Sequence, residues 1–198
     1  MSLDNSALIA PFCPPTADGD TFIYTEMLDR GKRKGNNGAR LVKTFYHRSV
    51  EEFWQQWPVI KQLCDMTKTR ACTRLSPKSY KSVGRTFTTM VVDASLTENW
   101  AGMKSLYNRA CGITGAIKKL WLFDVDIINE ATLTFGKLVE RDGHLIATIP
   151  SKKGLHYISK PFDTRTIEKY YQDLTLGASE ISLHKDNPTN LYIPDEAD

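Results

Sequence analysis

Two carboxylates are set into an apolar run, Leu120-Trp121-Leu122-Phe123-Asp124-Val125-Asp126-Ile127-Ile128. Read as a β-strand over about 119–128, the run turns Trp121, Phe123, Val125 and Ile127 to one face and Leu122, Asp124, Asp126 and Ile128 to the other. The two carboxylates then stand roughly 6.5–7 Å apart at Cα. Like charges taken out of water are costly, and a divalent cation offsets that cost directly. Ligands that are all oxygen favour Mg2+ or Mn2+, and paired ions of this kind serve phosphoryl and nucleotidyl transfer. The competing explanation is an edge strand with one wet face.

Three further groups could work with that pair. Ser151-Lys152-Lys153-Gly154-Leu155-His156 joins two candidate strands. The turn amides, the Ser151 hydroxyl and the two lysines could cradle a polyphosphate, with His156 donating to a phosphate oxygen. A plain hairpin turn with exposed lysines is the alternative. Arg70 and Arg74 lie four apart on a candidate strand, on the same side as Cys72. With Lys78, Lys81 and Arg85 on the next helix they could form a basic surface for a nucleic-acid backbone, or be ordinary solvated charge. Glu180, Ser182 and His184 alternate along one face of a late strand. Glu180 or Asp186 is the candidate third carboxylate, and His184 and Lys185 are candidate phosphate contacts, against a solvated turn. The basic, glycine-rich stretch 31–40 is either a flexible connection or a phosphate-contacting loop. Phe53, Trp54 and Trp57 read as core, and His47 and His144 stand without a constellation.

These residues need elements to position them. Residues 1–20, with Pro11, Pro14, Pro15 and Gly19, read as an N-terminal arm. Strands are expected over 21–28 and 41–46. Ser49 opens a helix to about Thr67, with Glu52 completing a capping box and Pro58 perturbing it. A strand over 70–75 is followed by a helix starting at Ser76-Pro77 and another over 96–109. After the acidic strand comes a short helix or turn. A hairpin over 145–150 and 155–159 follows, then a helix capped by Asp163, and short strands over 180–183 and 190–193. The tail 195–198 is expected to be disordered. The pattern is α+β, one domain over 21–194, with a mixed or antiparallel sheet and helices packed on one of its faces.

Composition sets limits. A net charge of +3 on 198 residues is too small for bulk electrostatics to show nucleic-acid binding, although a local patch could still provide it. No apolar run reaches the roughly 18 residues of a membrane span, so no membrane partner is expected. Cys13, Cys64, Cys72 and Cys111 contain no Cys-x-x-Cys pair. That argues against a zinc knuckle and for reduced thiols in a cytoplasmic protein, and the N-terminus carries no signal-peptide pattern.

Taken together, these motifs resemble the archaeo-eukaryotic primase superfamily, the primase-polymerases. Phe123-Asp124-Val125-Asp126 is similar to its hDhD strand motif, h being hydrophobic. Ile149-Pro150-Ser151-Lys152-Lys153-Gly154-Leu155-His156 is similar to its hairpin motif ending in histidine, and the spacing of about thirty residues between them fits. The resemblance covers roughly 119–193. It implies a catalytic core related to the RNA-recognition motif (RRM-like), with Asp124 and Asp126 holding Mg2+ or Mn2+ and His156, Ser151 and their neighbours binding the triphosphate. The superfamily also has an acidic residue on a later strand. The best alignment puts Ser182 there, and Glu180 on the same face is the substitute. The zinc module and helical extension of many primases are missing, as in a minimal, phage-like member.

The leading expectation is a metal-dependent nucleotidyltransferase acting on nucleoside triphosphates and single-stranded DNA or RNA, working with replication or phage proteins. A metal-dependent phosphodiesterase or nuclease, and a non-catalytic nucleic-acid- or protein-binding derivative, remain open.

Overall fold

The structure is a computed structural model and describes residues 2–15, 18–30, 39–186 and 188–195. Most of the basic stretch (31–38), Asn187 and residues 196–198 of the expected tail lie outside the described residues.

The chain opens with β1 (Leu3–Asp4), α1 (Ser6–Ile9) and a 3-10 turn (Ala10–Phe12). It continues through β2 (Thr21–Asp29), β3 (Arg40–His47), α2 (Val50–Thr67), β4 (Arg70–Ser79), α3 (Tyr80–Leu96) and α4 (Leu106–Ile113). Then come β5 (Trp121–Val125), α5 (Glu130–Arg141), β6 (Leu145–Pro150), β7 (Leu155–Ser159), α6 (Thr164–Asp173), β8 (Ile181–His184) and β9 (Thr189–Ile193).

The α+β class holds, but the single sheet expected from sequence is two. The first has the order β1-β9-β4-β2-β3 and the second β6-β7-β5-β8, and the pairings in both are antiparallel. Helices cover more than one face as a consequence. One core joins Ile23, Ala71, Leu75 and Leu191 of the first sheet to Leu122, Ile149 and Ile158 of the second, with Phe53, Ile60 and Cys64 of α2. A second core seals Trp121, Phe123, Val125 and Tyr157 under α5 and α6. A third packs Phe22 and Tyr24 against Val83 of α3 and Ala110 and Cys111 of α4.

The N-terminal arm is built into this domain. Leu3 pairs with Ile193, Ile9 and Ala10 are buried, and the Asn5 side-chain amide donates at 2.8 Å to both Pro150 O and Asn190 O, tying the two sheets together. Its prolines gave the segment the look of a free arm. Ser76-Pro77 does not start a helix, because β4 continues to Ser79, whose hydroxyl caps α3 by accepting from Ser82 N. Pro77 is tolerated because β9 pairs with β4 only at Ala71–Thr73, so at residue 77 that edge has no ladder to break. The acidic strand stops at Val125, leaving Ile127 and Ile128 about half exposed. Of the short helix or turn expected after it, the helix is what forms: α5, 12 residues long and capped by a reciprocal Asn129–Thr132 box.

Candidate functional site

Asp124 sits in the middle of the second sheet, opposite His156 of β7 on one side and Ser182 of β8 on the other. Strand alternation turns it with Leu122 toward the first sheet, while Trp121, Phe123 and Val125 go to the α5–α6 core. The Nε2 of His156 lies 3.3 Å from Asp124 Oδ1, with 7 % of the histidine side chain and 34 % of the aspartate exposed. The other ring nitrogen, Nδ1, lies 2.7 Å from the Thr189 hydroxyl at the start of β9. The hydrogen bond from His156 holds the Asp124 carboxyl below its ordinary range despite partial burial, and the nearby positive charge of Arg30 acts in the same direction. The structure thus presents an ionised carboxylate, open on one side, at the seam between two sheets. Arg30 is a neighbour that sequence reasoning missed. It lies far from Asp124 in the chain, and only the folding of β2 over the seam brings its charge near.

Asp126 lies past the end of β5 and is exposed, its backbone N–H donating to Glu180 O at 3.0 Å. The Ser151–Gly154 turn closes on itself. Ser151 Oγ accepts from Gly154 N at 3.0 Å and Ser151 N donates to Gly154 O at 2.9 Å, with Lys152 and Lys153 exposed at the tip. The turn is pressed against the end of the acidic strand, since Gly154 stands over the backbone of Val125 and Asp126. The glycine is therefore needed for close approach to protein backbone rather than to a ligand.

Glu180 is engaged elsewhere. Its Oε1 accepts from the Asn129 side chain at 2.7 Å and its Oε2 from Gly177 N at 3.0 Å, bonds that hold its pKa below the ordinary value. Asp186, the other candidate third carboxylate, accepts from Lys78 Nζ at 3.2 Å. His184 shares the Asp124 face, its Nε2 lying 2.9 Å from the Ser182 hydroxyl. Lys185 does not join it, because its ammonium sits over the Trp121 ring on the opposite face. Among the described residues no three His, Cys, Asp or Glu side chains form a ligand group.

The expected basic surface is rearranged. Lys78 lies in β4 rather than in a helix and is only 1 % exposed, donating to Thr114 O at 2.6 Å as well as to Asp186. Arg74 pairs with Glu26 at 3.2 Å and donates to Asp186 O. These two cations pin the crossing from β8 to β9 and so help place Thr189. Arg70, at the start of β4, is partly buried. A basic groove does exist elsewhere, at the outer edge of the first sheet. It has a volume of about 500 Å3, and Arg40 and Lys43 of β3 line it together with Lys104 and Asn108. Asp29 faces Arg40 in the strand pairing. The groove was hidden in the sequence because its cations come from segments some sixty residues apart.

His47 is also buried, with Nε2 2.8 Å from the Thr25 hydroxyl, which in turn meets the Thr73 hydroxyl at 2.8 Å. Phe53 and Trp57 join the core, but Trp54 is 43 % exposed. All four cysteines are buried free thiols. Among the described residues no helix is long and apolar enough to cross a membrane. No protein-family model matches the chain, and no curated protein or solved structure is significantly similar to it.

Proposed function

We propose that the chain is a divalent-metal-dependent nucleotidyltransferase of the primase-polymerase type, with nucleoside triphosphates and a single strand of DNA or RNA as substrates. The observation that supports it most is the ionised, half-open carboxylate of Asp124 beside His156, next to a lysine-bearing turn. Asp124 and the exposed Asp126 offer the hard oxygen donors that suit Mg2+ or Mn2+, and they are the residues that would hold the ion. When bound, the ion would neutralise charge at the phosphates. His156 orients Asp124, Lys152 and Lys153 face the polyphosphate, and Arg30 adds positive charge at the seam. The groove lined by Arg40, Lys43 and Lys104 takes the nucleic-acid backbone.

A second reading is favoured by one observation. Ser182, not a carboxylate, stands opposite Asp124, and both carboxylate oxygens of Glu180 are already bonded. A fold that keeps the site for binding without turnover fits that arrangement.

The test is incorporation of labelled nucleotides on a primed single-stranded template with Mg2+ or Mn2+, comparing wild type, Asp124→Asn and Asp126→Asn. Extension by wild type that both variants abolish is the expected result. Shortened oligonucleotides would replace the proposal with hydrolysis. Salt-sensitive binding without any turnover would favour the binding module.

A further inference from the structure

We propose that Thr189 is a positioning residue that fixes the ring orientation of His156, a role that rests on the nucleotidyl-transfer reading of the Asp124 site. Thr189 and His156 come from different sheets. Thr189 begins β9 opposite Thr73 of the first sheet, and His156 lies in β7 opposite Asp124 of the second. Thr189 is fully buried and His156 is 5 % exposed, so neither group has water to replace a missing partner.

Asp124 fixes the tautomer of the ring, and Thr189 fixes how the ring is turned. A carboxylate only accepts, so the proton between Asp124 Oδ1 and His156 Nε2, 3.3 Å apart, belongs to the imidazole. In the neutral ring Nδ1 is then the acceptor, and the Thr189 hydroxyl 2.7 Å away is its donor. Without that donor Nδ1 is a buried acceptor with no partner, and the ring is held in its orientation by the Asp124 contact alone. The identity of residue 189 supports the assignment. Leu191 and Ile193, two and four residues on, are buried and apolar, and a threonine in that row puts a hydroxyl where packing alone calls for a hydrocarbon. The site is therefore completed only when the last strand docks on the first sheet. That docking is steered by the hold of Lys78 and Arg74 on Asp186.

The experiment uses the whole chain with isotope-labelled histidine and reads the ring-nitrogen NMR shifts at one fixed neutral pH, with His156→Gln identifying the signals. In the neutral ring wild type should show a protonated Nε2 and an unprotonated Nδ1 whose shift carries the mark of an accepted hydrogen bond. Thr189→Val, nearly the same shape, should lose the hydrogen-bonded Nδ1 shift, and Thr189→Ser should restore it. In the incorporation assay Thr189→Val should lower kcat by about ten-fold or more, the usual scale for a group that orients a ligand or catalytic side chain, with KM little changed. Thr189→Ser should recover most of it. An unchanged ring pattern in Thr189→Val overturns the proposal, as does a failure of Thr189→Ser to restore it. Should Thr189→Val not fold, Thr189→Cys, of similar size and weaker donor strength, is read in its place. If wild type incorporates no nucleotide, the nucleotidyl-transfer reading fails on its own account, and the spectra still decide the role of Thr189.

Discussion

Gly154 lies so close to Val125 that a Cβ added to it would come 1.7 Å from the Val125 carbonyl oxygen and 2.9 Å from its carbonyl carbon. The obstacle is backbone in the middle of a sheet, which cannot step aside as a flexible side chain would. The close approach seats the Ser151–Gly154 turn on the end of the acidic strand, against the backbone of Val125 and Asp126.

Gly154→Ala should therefore destabilise the protein by about 3 kcal/mol, the upper part of the range for overpacking. Gly84, inside α3 with nothing within 4 Å of an added Cβ, provides the contrast. Gly84→Ala should stabilise by about 0.5–1 kcal/mol through helix propensity and reduced unfolded-state freedom. Thermal melts of the two variants check the pair, and equal melting temperatures would refute the close approach.

Acid should unfold the protein partly through His47. Burial pushes its imidazole down to about 4, and Glu52 only partly opposes that shift. In the unfolded chain the group titrates near its ordinary value of about 6.5. Between those values the unfolded state holds the extra proton. The stabilisation is thus complete above the upper value and is lost as pH falls through the lower one, by on the order of 3 kcal/mol. Urea unfolding midpoints measured from neutral pH down to about 4.5 should show the decline. His47→Gln should flatten it, whatever that substitution costs at neutral pH. Asp124, also depressed, adds its loss only at lower pH, below the ordinary carboxylate range.

Lysines in two places should behave in opposite ways. Lys78→Met removes a buried ammonium that satisfies Thr114 O and Asp186, and should cost about 2–4 kcal/mol while leaving the salt dependence of oligonucleotide binding unchanged. The double variant Lys43→Glu, Lys104→Glu changes exposed groups of the edge groove and should keep its melting temperature. Its single-strand affinity should fall, and the slope of log K against log salt should shrink by about 0.7 for each phosphate that the protein no longer neutralises. Fluorescence anisotropy across a salt series separates the two cases. Equal slopes for wild type and the double variant would remove the groove from the binding surface.

Features with local physical causes were legible in the chain by itself. The Ser49 hydroxyl takes the N–H of Glu52 because Ser at that position satisfies a donor the helix leaves open, and α2 runs to Thr67 as its pattern requires. Glu52 completes no box, because its carboxylate accepts from Arg48 N and pairs with the Arg48 guanidinium. The hairpin strands Leu145–Pro150 and Leu155–Ser159 and the Asp163 cap follow from alternation and turn residues in the same way. Where two local signals conflicted, the neighbour decided. Ser76-Pro77 carries the chemistry of a helix start, but the Ser76 hydroxyl accepts from Leu120 N at 3.0 Å and the strand runs on.

What sequence determined by itself was the alternation that puts Asp124 and Leu122 on one face and Phe123 and Val125 on the other, since side-chain direction along a strand depends only on the backbone. Tertiary structure alone decided what meets that face. Pairing of β8 with β5 sets Ser182 opposite Asp124, and the crossing of the chain from β8 in the second sheet to β9 in the first brings Thr189 to His156 and draws Lys78 and Arg74 inward onto Asp186. Those partners are 33 to 112 residues apart, and their pairing is chosen by the burial of two sheets around one core. Interactions of that range leave no periodic mark on the chain.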